Sequence, residues 1–365
     1  MIRSASVLFL TLAGLSATSA QAQIKIAVVG PMTGQNAAFG QQFREGAEQA
    51  VADINATGGV LGQKLLLEVG DDACDPRQAV SVANQMASEN VQLVLGHFCS
   101  GSSIPASHVY TEEGIIEISP GSTSPDYTEH GDWNIFRTCG RDDQQGKTAA
   151  AYIVKHFANA RIAILNDNSA YGKGLAEETQ KAINAAGVHE VLASAYTPGE
   201  HDYLALVSRL KEAGVNVIYV GGYYPETGLI ARQAHEQGMN PTIIGGDAIV
   251  TNDYWQIAGK AAEGTLMTFA ADPRNRPDAA QVVAEFKAKH IDPEGYVLYT
   301  YAALQAWVAG VNIAHSTDPA NVAAALHHAT EMKTVLGPLA FDKIGDPLTA
   351  HYEIYEWNNG TYHQL

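Results

Sequence analysis

Very little in this sequence could hold a metal or grip a nucleic acid. Its three cysteines, Cys74, Cys99 and Cys139, form no C-x-x-C pair, which removes the usual zinc spacings. Positive charge is scarce as well. Against 39 Asp and Glu stand 22 Lys and Arg, a formal net charge of -17, so no basic stripe is at hand to neutralise phosphates. The excess acid reads as solvated surface. H-E-x-x-H, Walker and G-x-S-x-G patterns are absent. The opening IKIAVVGPMTG lacks G-x-G-x-x-G and carries Pro31 at the turn, so it is a poor dinucleotide fingerprint. His97 stands three residues from Ser100 in GHFCSG, but a lone histidine at a strand end reads as a structural hydrogen bonder. Asp71 and Asp72, in a loop before Cys74 and Pro76, read as capping residues. Nothing assembles an activated nucleophile or an acid–base pair, so the chain is not expected to be an enzyme. Beyond the N-terminus no apolar run reads as long enough to span a bilayer.

What is present is ordinary globular material. The 365 residues are too many for one typical core and suit two domains. Residues 1–22 read as a signal peptide. Arg3 gives the positive region, Val7 to Leu15 the apolar stretch, and Ala20-Gln21-Ala22 the small-residue cleavage site. A mature, soluble, exported chain from Gln23 is expected, with no lipid-bearing cysteine at the cut. In an oxidising compartment two of the three cysteines are expected to pair, leaving one over.

The stretch VQLVLGHFCSGSSIPAS, Val91 to Ser107, sets the pattern for the rest. Val91 to Leu95 predicts a buried strand, and a helix follows to about Glu113 with a serine as N-cap. The loop between them offers hydroxyls and backbone N–H groups at a helix N-terminus, a setting that suits a small carboxylate. The same strand–loop–helix unit recurs. Strands are predicted at Ile24–Gly30, Lys64–Val69 and Gly114–Ser119, then at Arg161–Leu165, Val191–Tyr196, Val215–Val220, Thr242–Gly245 and Thr265–Phe269. Helices alternate with them, one of them over about Gln42–Ala56 and another from about Leu175. Three helices follow, and then short strands at Pro338–Phe341 and Tyr352–Trp357. This is an α/β chain with two doubly wound parallel sheets. The loops past the strand ends carry Phe39, Ser100, Ser122-Thr123, Tyr171, Tyr223 and Asp247, which would face a common crevice.

Several segments carry a more specific signal: GAEQAVADINATGG, DDACDP, GHFCSGSSIPAS, YGKG, GGYYPE and YTYAALQA. In their order and spacing the chain resembles the leucine/isoleucine/valine-binding family of periplasmic solute-binding proteins, which serve ATP-driven amino-acid importers. The resemblance runs nearly the whole mature chain. It implies two Rossmann-like lobes joined by a three-strand hinge, with crossings near Arg141, Ala271 and Thr349. Residues 23–141 and 271–349 would form one lobe, and 142–270 with 350–365 the other. It implies a Cys74–Cys99 disulfide and a free Cys139. The implied partners are a free amino acid and the membrane permease of an ABC importer, with the protein a periplasmic monomer that needs no cofactor. A sensor subunit for a membrane receptor would present the same closed lobes.

The resemblance also implies a site. Ser100 and Thr123, with Ser122 beside them, would hold the ligand carboxylate. The Gly121 carbonyl and Asp247 would take the ammonium. Tyr171 and Tyr223 would reach in from the second lobe, and Phe39, Phe98 and Tyr296 would wall the side-chain pocket. This sequence departs from the branched-chain binders at three of these places. Phe98 stands where they have Leu, Tyr296 where they have Phe, and Asp247 is one methylene shorter than their usual Glu. A related branch for small neutral amino acids, including GABA, proline and alanine, has a similar GHF-x-SG loop. Leucine is therefore not the expected best ligand.

Overall fold

The computed structural model describes residues 23–365. The expected signal peptide lies outside the described residues. The first sheet is parallel throughout, in the order β2-β1-β3-β4-β5. Its strands are β1 (Ile24–Gly30), β2 (Leu65–Asp71), β3 (Leu93–Leu95), β4 (Ile116–Ser119) and β5 (Ile135–Arg137). Helices α1 (Ala37–Ala56), α2 (Pro76–Ser88), α3 (Ser100–Glu113) and the short α4 (Asp126–Glu129) connect them. β3 and β4 are buried along their whole length, which is why they read as continuous apolar runs rather than alternating ones.

The second half begins with α5 (Asp142–Phe157). β6 (Ile162–Asn166), α6 (Ala170–Ala185), β7 (Leu192–Ala195), α7 (Leu204–Glu212), β8 (Val217–Gly221), α8 (Tyr224–Glu236), β9 (Thr242–Gly245), α9 (Asn252–Ala258) and β10 (Leu266–Ala270) follow in turn. The chain then returns to the first sheet. α10 (Ala280–Ala288), α11 (Val297–Ala314), α12 (Pro319–His328) and the β11–β12 hairpin (Met332–Thr334, Gly337–Leu339) follow, and α11 packs on α1, β3 and β4. Finally β13 (Tyr352–Asn358) and β14 (Thr361–Gln364) add antiparallel to one side of the second sheet, with β14 at the edge, giving the order β14-β13-β10-β9-β8-β6-β7. Among the described residues the chain thus passes between the two sheets three times: between β5 and α5, after β10, and before β13.

Local chemistry explains the boundaries. Asp75 caps α2 by accepting the N–H groups of Arg77 and Gln78, with Pro76 at the first turn. Gly114 ends α3 in the left-handed conformation. Three expectations need correction. α1 and α6 begin five residues earlier than expected, so Phe39 and Tyr171 sit in first helical turns rather than in loops. Cys99, not a serine, occupies the N-cap position of α3, and no side chain caps it; the Ser103 hydroxyl donates instead to the carbonyls of Cys99 and His97. And α11, eighteen residues, is long and apolar enough to cross a membrane by length and composition. It is apolar nearly all round because α1, α12 and the first sheet cover it, with 67% of it buried.

Candidate functional site

Behind the Ser100 loop lies a buried polar network. His97 Nδ1 meets Asp72 Oδ2 at 2.6 Å and its Nε2 meets the Tyr110 hydroxyl at 3.0 Å, while its backbone N–H donates to Glu117 Oε1. His97 is thus the structural hydrogen bonder expected. Asp72 caps no helix; besides His97 it accepts the N–H of Cys74 at 2.8 Å. Cys74 and Cys99 are disulfide-bonded across a 25-residue separation, and Cys139 is free and buried. A loop of that size is worth roughly 3 kcal/mol by the chain-entropy model, and the bond ties the start of α3 to the Asp71 loop.

In front of this network the hydroxyls gather. Ser100 Oγ accepts the Ser122 hydroxyl and the Ser124 N–H, each at 3.3 Å, so its own proton is left to give. Thr123 Oγ1 is buried without a hydrogen-bond partner. The loop Ser122–Ser124 is gripped from below by Arg137, whose guanidinium donates to the carbonyls of Ser122 and Ser124 and to Asp346 Oδ1. Gly121 leaves room for Phe98, since a Cβ there would lie 2.7 Å from the Phe98 ring.

The aromatic residues meet above. Phe39 stacks on Phe98 with centroids 4.2 Å apart, and Tyr296 approaches Phe98 edge-on at 5.4 Å. From the second half, Tyr223 lies 6.0 Å from Phe98 and 5.2 Å from Tyr171. The Tyr171 hydroxyl donates to Asp247 Oδ1 at 2.9 Å. Gly246 makes that contact possible, because a Cβ there would lie 2.4 Å from the Tyr171 hydroxyl. Asp247 is 2% exposed, and no cation pairs with it among the described residues. Burial pushes its carboxyl up from the ordinary range, while hydrogen bonds from Tyr296, Tyr171 and Gln145 pull the other way. The structure therefore brings together all ten expected site residues: a group of hydroxyls, an acid with no cation beside it, and a cluster of aromatic rings.

A family model described as a periplasmic binding protein matches residues 23–361. The chain belongs to the periplasmic binding protein family. It is 50% identical over 342 residues to a Leu/Ile/Val-binding protein homolog 1 of Brucella suis, covering 94% of this chain and 92% of that one. It is 47% identical over 356 residues to an amino acid binding protein of Pseudomonas aeruginosa, covering 96% and 95%. Among solved structures, the leucine binding protein LivK of Thermotoga maritima superposes with a TM-score of 0.87 at 26% identity, covering 94% and 97%. LivJ of Streptococcus pneumoniae, in complex with isoleucine, gives 0.84 at 26% identity, covering 94% and 99%.

In this periplasmic binding protein several contacts around the site join segments that the sequence did not connect, one of them across the two halves. Tyr224, the second tyrosine of GGYYPE, meets Phe39 edge-on at 5.7 Å and donates to the Gln35 carbonyl at 2.7 Å. Phe43 packs against Phe98 and Tyr296. Asp142 and Gln145 reach toward Asp247 from the start of α5. The segment RDDQQG, polar yet at a lobe crossing, was the available signal for these last two.

Further out, the N–H of Asn252 donates to Glu294 Oε1 at 3.3 Å across the seam, beside a groove of about 610 Å³. Burial pushes Glu294 up to about 7 from 4.5, more than the Asn252 N–H pulls it down. A carboxyl whose pKa is raised on folding contributes stability that is full below its unfolded value and lost as pH rises through about 7. Relative to Glu294→Gln, the natural protein should therefore lose about 1–3 kcal/mol between those limits. Urea unfolding of both proteins across that range checks it, and a flat difference curve would remove Glu294 from the account.

Proposed function

We propose that this protein captures a small or branched aliphatic amino acid between its two lobes and delivers it to the permease of an ABC importer. It acts as a periplasmic monomer that binds its ligand and catalyses no reaction. The lobes are residues 23–141 with 271–349, and 142–270 with 350–365. The observation that carries the reading is Asp247, buried and unpaired, opposite hydroxyls that have hydrogen bonds to give. A zwitterion needs donors at one end and an acid at the other. Ser100, Ser122 and Thr123 take the carboxylate, assisted by the N-terminus of α3. Asp247 and the Gly121 carbonyl take the ammonium. Phe39, Phe98, Tyr171, Tyr223 and Tyr296 enclose the rest. Relatives named for leucine, isoleucine and valine support the ligand class.

A thermal-shift panel of free amino acids tests the reading. A ligand at a hundred times its Kd stabilises by about 2.7 kcal/mol, and a panel in which no amino acid shifts the midpoint would overturn it. Within the panel, alanine, valine, proline or GABA should bind at least as well as leucine or isoleucine. Phe98 and Tyr296, in edge contact, take volume that a longer branched side chain would need. Forcing extra methylenes into a packed site costs about 1–3 kcal/mol. The double variant Phe98→Leu, Tyr296→Phe should move the preference toward leucine by about tenfold or more. Calorimetry on both proteins decides, and a natural protein that prefers leucine tenfold over valine and GABA would show that these rings do not set the pocket.

A further inference from the structure

Asp142 opens α5, just where the chain enters the second half, and it is fully buried. Its backbone N–H donates to the Thr123 carbonyl at 2.9 Å. Its Oδ1 accepts the Gln145 amide at 3.2 Å, and its Oδ2 has no hydrogen-bond partner. The same Gln145 reaches the other way, its Oε1 accepting the Asp247 N–H at 2.8 Å and the Thr268 hydroxyl at 2.7 Å. One amide side chain therefore links the carboxyl of Asp142 to the backbone of a second buried acid, Asp247.

No cation forms an ion pair with either acid among the described residues. Arg137 is near Asp142, but its donors go to Asp346 and to the Ser122 and Ser124 carbonyls. Asp143, next on the helix, adds negative charge and is engaged by Arg141 at 3.1 Å. The remaining ionisable neighbours are the Cys139 thiol and the hydroxyls of Tyr171, Tyr219, Tyr223, Tyr296, Tyr299 and Tyr352. Burial pushes every one of them up, so they stay neutral. Two carboxylates in one dry space do not both ionise without a cation between them.

We propose that Asp142 is a second acid of the ammonium end, and that Asp142 and Asp247 share one proton in the empty site and give it up as the ligand's ammonium enters. The proposal rests on the amino-acid-binding reading above. The ligand arrives with its ammonium already charged, so the displaced proton passes to solvent and the count is one proton released per ligand bound. The direction of the Asp142 shift agrees, since burial first and the charge of Asp247 second push its carboxyl well above the ordinary range, against weaker downward pulls from the nearby Thr123 hydroxyl and the Arg137 charge. Over the pH range in which the pair holds its proton, affinity falls about tenfold for each unit of acidification.

The test is calorimetric titration of the full mature protein with alanine, valine and GABA at neutral pH, in phosphate and in Tris, whose ionisation enthalpies differ widely. The natural protein should release close to one proton per ligand, and Asp142→Asn should release close to none and lose the slope of affinity with pH. Glu294, pushed up to about 7, is a second acid that could exchange a proton on closure, so Glu294→Gln is titrated alongside and should keep the release. Equal binding enthalpies in the two buffers would overturn the proposal, as would release that persists in Asp142→Asn or vanishes in Glu294→Gln. If Asp142→Asn does not fold, the natural protein and Glu294→Gln still decide it. Failure of all three amino acids to bind would instead overturn the binding reading, and this proposal with it.

Discussion

Asp247→Asn should weaken every ligand that carries an ammonium by about 2–5 kcal/mol, a loss of roughly thirtyfold to several-thousandfold in Kd. The side chain is 2% exposed and takes the Tyr171 hydroxyl at 2.9 Å. In the proposed complex it faces a desolvated ammonium. Asparagine keeps the shape and an acceptor oxygen but removes the charge, so the cost is that of leaving one partner of a buried charged pair alone. The free protein should be little harmed and even gain stability, because Asp247 has no internal cation to lose and its ionised form is costly to bury. Weaker binding with undiminished folding stability separates a ligand-facing acid from a structural one. Titration calorimetry gives the first quantity and urea unfolding the second. Unchanged affinity would place Asp247 outside the site.

How far the sequence carried depended on the kind of interaction. β3 and β4 were legible because strands buried on both faces must be apolar throughout, and a short Val/Leu/Ile run says so. The starts of α1 and α6 were not legible. In α1 the first turn, AAFG, shows no capping side chain, and glycine looks like a loop residue in a one-dimensional reading. Yet Gly40 is glycine because a Cβ there would lie 2.2 Å from the Pro31 carbonyl oxygen. Among the expected site residues, Ser100, Thr123 and Asp247 stood out because a hydroxyl-rich loop and an isolated acid at strand ends are unusual, and the family resemblance supplied the roles expected of them. Tyr224 and Asp142 were not, because their contacts arise only when segments distant in the sequence meet. Tyr224 acts through Gln35, 189 residues away. Asp142 resembles any acidic residue in the first turn of a helix, where it favours the dipole. Its burial and its orphan oxygen are visible only in three dimensions.

Arg137 belongs to the same class of residue, silent in the sequence and central in the fold, and its replacement should have the largest effect on folding. Its side chain is fully buried. Nε donates to Asp346 Oδ1 at 2.7 Å, Nη1 to the Ser122 carbonyl at 2.7 Å, and Nη2 to the Ser124 carbonyl at 3.0 Å and the Thr128 hydroxyl at 2.5 Å, and the guanidinium lies 5.2 Å from the centroid of the Tyr127 ring. Arg137→Met fills similar space and satisfies none of these acceptors. Asp346 keeps Arg141 at 3.0 Å, but two buried carbonyls lose their donors. The expected cost is about 3–5 kcal/mol. Arg137→Lys should recover only part of it, because a point charge cannot serve four acceptors spread around a fork. The two carbonyls belong to the loop that carries Thr123, so ligand affinity should fall in Arg137→Lys even under conditions where that variant is fully folded. Urea unfolding of both variants, with calorimetry on the lysine one, separates the two effects. A loss of under about 1 kcal/mol in Arg137→Met, the range of an exposed ion pair, would mean that the loop is held without help from the arginine, by Ser100, which accepts the Ser124 N–H, and by Ser119, whose hydroxyl accepts the N–H groups of Gly121 and Ser122.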